Sequence, residues 1–261
     1  MKKQPLGQNY LINESIALDI IQQAGVSPDQ PVLEIGPGKG ILTAILLEQA
    51  ESLTAIEIDP KLCSALKDRF GKNEKFQLIE ADALKYDYGA LGSGYQVVSN
   101  LPYYAATHIL KRLIHYRKHI SHMTVMLQKE VVDRLTAIPG TRDYGSLSVF
   151  IQFHCQVERL LEVGKESFSP PPKIDSSVVK LTPLLQPQVQ VDNLKTFFTV
   201  VNASFLHKRK MLKNNLKGWG NLFQKQNGKI ELAGIDLSRR GETLSLEDFA
   251  TLSNFIHSCN D

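Results

Sequence analysis

Apolar and polar positions along this chain follow two periods, and the first 185 residues switch between them repeatedly. Asn13 reads as an N-cap for a helix from Glu14 to Ala24, with Ile16, Ile20 and Ile21 as its buried stripe and Gly25 as its stop. Short apolar runs predict strands at Pro31 to Ile35, Leu53 to Ile58, Phe76 to Glu80, Tyr95 to Ser99 and Met123 to Leu127. Helical stretches separate most of them: from Gly40 through roughly Gln49, then Pro60 to Phe70, Ala105 to Tyr116 and Lys129 to Ile138. Such alternation predicts an α/β domain with a parallel sheet covered by helices on both faces. Val157 to Val163 and Ser177 to Thr182 have only a proline-rich loop between them, which suits an antiparallel pair at the sheet edge.

Gln186-Pro187-Gln188 breaks the pattern and sets the expected domain boundary, giving domains 1–185 and 186–261. Beyond it, Leu194, Phe197, Phe198, Val201 and Phe205 fall at helical spacing, so the small C-terminal domain is expected to be all-helical. Charge separates the two parts. Residues 1–185 hold 20 basic and 20 acidic side chains, whereas 186–261 hold 10 basic and 7 acidic. Between Asn193 and Ile230 there is no acid, yet there are eight cations: Lys195, Lys208, Arg209, Lys210, Lys213, Lys217, Lys225 and Lys229. A one-sign run of this kind suits a nucleic-acid backbone, with Lys208, Arg209, Lys210 and Lys213 as expected phosphate contacts.

Other classes are disfavoured. No stretch reaches the roughly 18 apolar residues of a membrane span, and no apolar run follows the basic N-terminus to make a secretory signal. Cys63, Cys155 and Cys259 are scattered, without CxxC spacing, and read as reduced thiols of a cytoplasmic protein. His115, His119 and His122 have a spacing that could suggest a metal, but no supporting acids accompany them, and no metal is expected. Trp219, between two glycines, reads as a turn or packing residue.

Gly36-Pro37-Gly38-Lys39-Gly40 joins the first strand to a helix, where glycines let backbone N–H groups approach a ligand closely. A dinucleotide loop would place its third glycine at position 41, which is Ile41, and the observed spacing instead resembles the loop of class I (Rossmann-like) S-adenosylmethionine methyltransferases. Glu57, at the end of the second strand, is placed to accept from ribose hydroxyls, and Asp82, after the third, from an adenine amino group. Asn100-Leu101-Pro102-Tyr103 follows the fourth strand. The Asn100 side-chain oxygen and a carbonyl of the Leu101-Pro102 turn can accept the two protons of an exocyclic amine. Its nitrogen then gains nucleophilic geometry, and the Tyr103 ring can stack on the base.

With those residues in view, the chain resembles the ribosomal RNA adenine dimethyltransferases. The resemblance is carried by Leu6-Gly7-Gln8-Asn9-Tyr10-Leu11, the glycine loop, Asn100-Leu101-Pro102-Tyr103 and Gln128-Lys129-Glu130-Val131. Asp143-Tyr144-Gly145-Ser146-Leu147-Ser148 and Phe168-Ser169-Pro170-Pro171-Pro172-Lys173 extend it to nearly the whole chain. It implies S-adenosylmethionine as cofactor, held by Asn9, Leu11, Gly36, Gly38, Glu57, Asp82 and Asn100. It also implies that Asn100, Leu101, Pro102 and Tyr103 serve the target adenine, with Phe168 on the base's other face. The basic segment His207 to Leu216, read as a helix, and the run from Ala233 to Ser245 resemble the branch acting on small-subunit ribosomal RNA. The expected partner is that RNA or a pre-assembled small subunit, met by a monomer. Three alternatives stay open: the macrolide-resistance branch acting on large-subunit RNA, a non-catalytic nucleic-acid-binding factor on the same fold, and a small-molecule amine methyltransferase.

Overall fold

Asn13 Oδ1 accepts a hydrogen bond from Ile16 N at 3.3 Å, and Gly25 takes the left-handed conformation at φ 64°, so the first long helix starts and stops where its sequence signals it. A computed structural model of the chain describes residues 9–226 and 229–259; the N-terminal arm, with Leu6-Gly7-Gln8 of the first motif, lies outside the described residues. In chain order the first elements are β1 (Tyr10–Leu11), α1 (Glu14–Ala24), β2 (Val32–Ile35), α2 (Ile41–Gln49), β3 (Leu53–Glu57), α3 (Pro60–Phe70), β4 (Phe76–Glu80), β5 (Tyr95–Asn100), α4 (Ala106–His115) and β6 (Ile120–Gln128). There follow α5 (Lys129–Thr136), α6 (Ser146–His154), β7 (Cys155–Val163), β8 (Phe168–Ser169) and β9 (Ser176–Pro183). The chain then runs through α7 (Leu194–Ser204), α8 (Leu212–Asn215), β10 (Gln224–Gln226), β11 (Lys229–Leu232), β12 (Ile235–Asp236) and α9 (Leu246–Ser258).

The elements form two compact units. One comprises the described residues up to Val132 with Gln156–Pro183; the other comprises Asp133–Cys155 with the described residues from Leu184 onward. In the first, seven strands form one sheet in the order β4-β3-β2-β5-β6-β9-β7. Strands β4, β3, β2, β5 and β6 run parallel, and β9 is antiparallel to β6, with Met123 opposite Leu181 and Gln128 opposite Ser176. The expected edge pair is the β9-β7 neighbourhood. Strand β2 is buried along its full length, as a central parallel strand covered on both faces must be. Leu33 and Ile35 are each 1% exposed.

The second unit contains the helices expected of the C-terminal region, together with two features its sequence pattern did not reveal. Helix α6 belongs here: the rings of Phe153 and Phe197 on α7 stand 4.8 Å apart, and Tyr144 is fully buried in the same apolar cluster. The unit also carries a three-stranded antiparallel sheet, β10-β11-β12, so it is not all-helical. Ala233 (φ 52°) and Gly234 (φ 77°) are both left-handed and form the two-residue turn that pairs Leu232 with Ile235.

The basic helix expected over His207 to Leu216 is corrected: turns occupy 205–209 and a bend Lys210, with only the single helical turn α8 after them. Three adjacent cations repel one another, and the segment is folded back by tertiary bonds instead. Asn215 Nδ2 donates to Ser204 O at 2.7 Å and to His207 O at 3.2 Å, and Leu212 N donates to Arg239 O at 2.8 Å.

Helix α9 begins with a capping box, Ser245 Oγ accepting from Asp248 N at 3.1 Å while Asp248 Oδ2 accepts from Ser245 N at 3.3 Å. Asp248 also accepts from Arg239 Nη2 at 2.9 Å. Ser245→Ala is expected to lower stability by about 1 kcal/mol in urea unfolding, with Ser245→Asp restoring most of it.

Candidate functional site

Because β2, β3, β4 and β5 are parallel, the segments that leave their carboxyl ends emerge along one edge of the sheet, where ligands of open α/β sheets bind. A cavity of about 320 Å³ opens there. Its lining includes Asn9, Leu11, Gly36, Gly38, Glu57, Asp82 and Asn100, together with Leu101, Pro102 and Tyr103. The sequence-derived cofactor set and the Asn-Leu-Pro-Tyr turn therefore share one cavity. Phe168 is not part of the lining.

The glycine loop is left-handed three times, at Gly36 (φ 68°), Gly38 (φ 59°) and Gly40 (φ 78°). Space as well as backbone demands glycine here. A Cβ on Gly38 would stand 3.0 Å from the Tyr10 ring, and one on Gly40 would stand 2.7 Å from Phe70. Glu57 is 4% exposed, and its Oε1 accepts from Ile58 N (2.8 Å) and Asp59 N (2.9 Å). Its Oε2 meets Gly38 N at 3.4 Å, so the carboxylate ties the glycine loop to the end of β3. A cradle of bare backbone beside a fixed buried carboxylate fits a ligand carrying vicinal hydroxyls and a cationic end.

Asn100 ends β5, and its Oδ1 is buried and accepts no hydrogen bond from the described residues. In the turn that follows, Pro102 O accepts from Ala105 N at 3.0 Å, and Leu101 lines the cavity. The Tyr103 hydroxyl and Ser176 Oγ are 2.6 Å apart, and burial pushes the phenol's pKa up. Phe168, only 2% exposed, pairs with Leu11 across the short β1-β8 ladder. Its ring meets Tyr103 edge to face, with centroids 6.5 Å apart and planes at 64°. The two ring planes are inclined to each other and not stacked in parallel.

Asn9 Nδ2 donates to Pro170 O at 2.7 Å, fixing β1 against the proline-rich loop. Lys208, Arg209 and Lys210 lie exposed in the second unit, with Lys208 Nζ donating to Arg142 O, and Lys213 is half-buried. The three histidines do not converge. His119 Nδ1 meets Gly92 O at 2.9 Å, and His122 Nε2 meets Ala24 O at 3.1 Å.

Sequence reasoning overlooked Glu34, Ile58, Leu84 and Tyr104 in the lining. Ile58, Leu84 and Tyr104 are large and apolar or aromatic, yet exposed, the signature of a ligand-facing rim. Glu34 lies within an apolar strand pattern and is 1% exposed. Burial pushes its carboxyl up to about 8, the hydrogen bond from Thr43 Oγ1 (2.7 Å) draws it back, and the nearby Glu57 pushes it up further. The folded protein therefore keeps Glu34 protonated where the unfolded chain, with an ordinary carboxyl near 4.5, is ionised. This difference costs nothing below both values, destabilises progressively as pH rises between them, and is constant above about 8. Glu34→Gln should flatten the fall in unfolding free energy between about pH 5 and pH 8 by on the order of a few kcal/mol, measured in urea at several pH values. Parallel curves for the two proteins would refute an elevated Glu34.

Comparison with known proteins bears on this site. The family profile described as ribosomal RNA adenine dimethylase matches residues 1–258. The chain is 43% identical over 255 residues to ribosomal RNA small subunit methyltransferase A of Clostridium botulinum (strain Kyoto / Type A2), covering 97% of this chain and 93% of that relative. It is 43% identical over 261 residues to the protein of the same name from Hydrogenovibrio crunogenus (strain DSM 25203 / XCL-2), covering 98% and 96%. Among solved structures, a dimethyladenosine transferase from Plasmodium falciparum superposes with a TM-score of 0.75 at 27% identity, covering 93% of this chain and 95% of that one. The 23S rRNA methyltransferase ErmE shares the fold, with a TM-score of 0.71 at 23% identity, covering 95% and 100%. The chain belongs to the ribosomal RNA adenine dimethylase family.

Proposed function

We propose that this protein transfers methyl groups from S-adenosylmethionine to the exocyclic N6 of two adjacent adenines near the 3′ end of small-subunit ribosomal RNA, giving N6,N6-dimethyladenosine during ribosome biogenesis. The observation that carries the chemistry is the buried Oδ1 of Asn100 at the cavity wall, which has no hydrogen-bond partner among the described residues. A buried acceptor without a donor costs free energy, and an amino group entering the site relieves that cost.

Glu57 accepts from the cofactor's ribose hydroxyls, Asp82 from its adenine amino group, and the backbone at Gly36 and Gly38 closes on its amino-acid end, with Asn9 and Leu11 completing the pocket. When bound, the cofactor supplies a methyl group already activated by its sulfonium. The chain's own task is orientation. Asn100 Oδ1 and Leu101 O accept the two N6 hydrogens and draw the nitrogen lone pair out of conjugation with the ring. Pro102 fixes the turn by its restricted φ. Tyr103, held by Ser176, offers the stacking face for an adenine turned out of its helix, and Phe168, whose ring meets that of Tyr103, closes on the base's other face.

Lys208, Arg209, Lys210 and Lys213 contact RNA phosphates in this reading, on a pre-assembled small subunit approached by a cytoplasmic monomer. Cys63 and Cys155 are buried cysteines and Cys259 an exposed one, in keeping with a reducing compartment. Among the described residues no helix is long and apolar enough to cross a membrane.

The decisive experiment is tritiated methyl transfer to unmethylated small and large ribosomal subunits, followed by nucleoside analysis. Label in N6,N6-dimethyladenosine of the small subunit is expected; label confined to the large subunit would reassign the chain to the resistance-type activity. Asn100→Ala should lower kcat by about 10²-fold or more, as loss of a transition-state acceptor does. Replacing Lys208, Arg209 and Lys210 together by Gln should weaken RNA binding and flatten its salt dependence by about 0.7–0.9 per lost phosphate contact.

A further inference from the structure

Asp82 opens a tight turn after β4, and that turn is gripped from outside by side chains that do not line the cavity. Asp82 Oδ1 accepts from Leu84 N at 2.9 Å, while Asp82 O accepts from Lys85 N at 2.9 Å and Tyr86 N at 3.0 Å. The carboxylate and the turn are thus one rigid piece, and whatever sets the turn's tilt sets the carboxylate. From α4, Arg112 Nε and Nη2 both donate to Tyr86 O, at 3.1 and 2.6 Å, and Nη2 also reaches Lys85 O at 3.2 Å. Tyr88 has no exposed surface, and its hydroxyl donates to Ala83 O at 2.8 Å.

The guanidinium is itself held in place. It lies 5.4 Å from the Tyr116 ring centroid, and the Tyr88 and Tyr116 rings meet edge to face at 5.6 Å. A planar cation spread over two consecutive carbonyls fixes direction as well as distance, which a lysine ammonium does not. Charge-assisted bonds to backbone carbonyls are also stronger than neutral ones.

We propose that Arg112, assisted by Tyr88, is a positioning residue for cofactor recognition: it holds the turn 82–86 so that the Asp82 carboxylate meets the exocyclic amino group of the cofactor's adenine. The proposal builds on the assignment of Asp82 to that amino group and adds a residue outside the cavity that acts through it.

Calorimetry with two ligands tests it on the full chain: S-adenosylhomocysteine, and S-inosylhomocysteine, in which oxygen replaces the amino group. The native protein should bind the inosine analogue about tenfold more weakly, the scale of one lost hydrogen bond to a charged acceptor. Arg112→Met should weaken the adenosine ligand by about tenfold and the inosine analogue by less than about twofold, so that discrimination collapses. Arg112→Lys, which keeps the charge but only a single donor nitrogen, should fall between, and Tyr88→Phe should shift the ratio in the same direction by less. Equal weakening of both ligands by Arg112→Met would make Arg112 a general structural residue and overturn the proposal. Should Arg112→Met not fold, an unchanged ligand ratio in both Arg112→Lys and Tyr88→Phe would overturn it. Equal binding of the two ligands by the native protein is a separate failure, since it removes the amino group from Asp82 altogether.

Discussion

The site depends on how β2 and β5 part company. Their parallel ladder pairs Val32 with Gln96 and Leu33 with Val97, and beyond that point Ile35 N donates to the Ser99 side chain at 2.7 Å. The fully buried Ser99 hydroxyl thus satisfies a backbone donor where the strands diverge. Chain connections leave β2 toward β3 on one side and β5 toward β6 on the other, so this is the switch point of the sheet. Strand divergence makes room for the glycine loop from β2 and the Asn-Leu-Pro-Tyr turn from β5 to flank one cavity. A Cβ on Gly36 would come within 3.5 Å of the Pro102 ring, a measure of how closely the two segments approach.

Two kinds of electrostatics operate in the two units. The cavity brings the carboxylates Glu57 and Asp82 together beside the protonated Glu34, which suits a ligand with cationic groups and hydrogen-bond donors. The second unit presents Lys208, Arg209 and Lys210 to solvent on turns pinned by Asn215 and by the bond between Leu212 and Arg239. For the proposed contact with RNA phosphates, such pinning reduces the conformational freedom that binding would cost.

Much of the first unit was legible because its signals are local. Caps, left-handed glycines and short buried strands each follow from a few neighbouring residues, and the observed α1, α3 and β4 coincide with the expected segments. What was not legible depends on distant partners. Ser146–His154 is rich in apolar, aromatic and β-branched residues, which do not distinguish helix from strand, and its burial against α7 decides the matter. The Gln186 break in composition is real, yet the segment Asp133–Cys155 packs with the residues beyond it, a long-range choice that no local pattern encodes. The basic segment from His207 is expected as helix on the family resemblance, but hydrogen bonds from Asn215 to the Ser204 and His207 carbonyls fold it as turns. In the candidate site, the residue types and their order were readable. The edge-on meeting of Tyr103 and Phe168, and the burial of Glu34 that keeps it protonated, emerge only once the sheet is assembled.

In the proposed reaction, the Asn100 oxygen, which accepts nothing from the described residues, would also provide a means of counting. If Asn100 and Leu101 each take one hydrogen of an adenine N6, an unmodified base satisfies both acceptors, and a singly methylated one still offers a hydrogen to one of them. The dimethylated base offers none. Each turnover would thus remove one of the donors that made the base welcome, and after the second the nitrogen has no hydrogen left to lose. Completion and release of the product would then be the same event, and the site would need no separate device to stop at two.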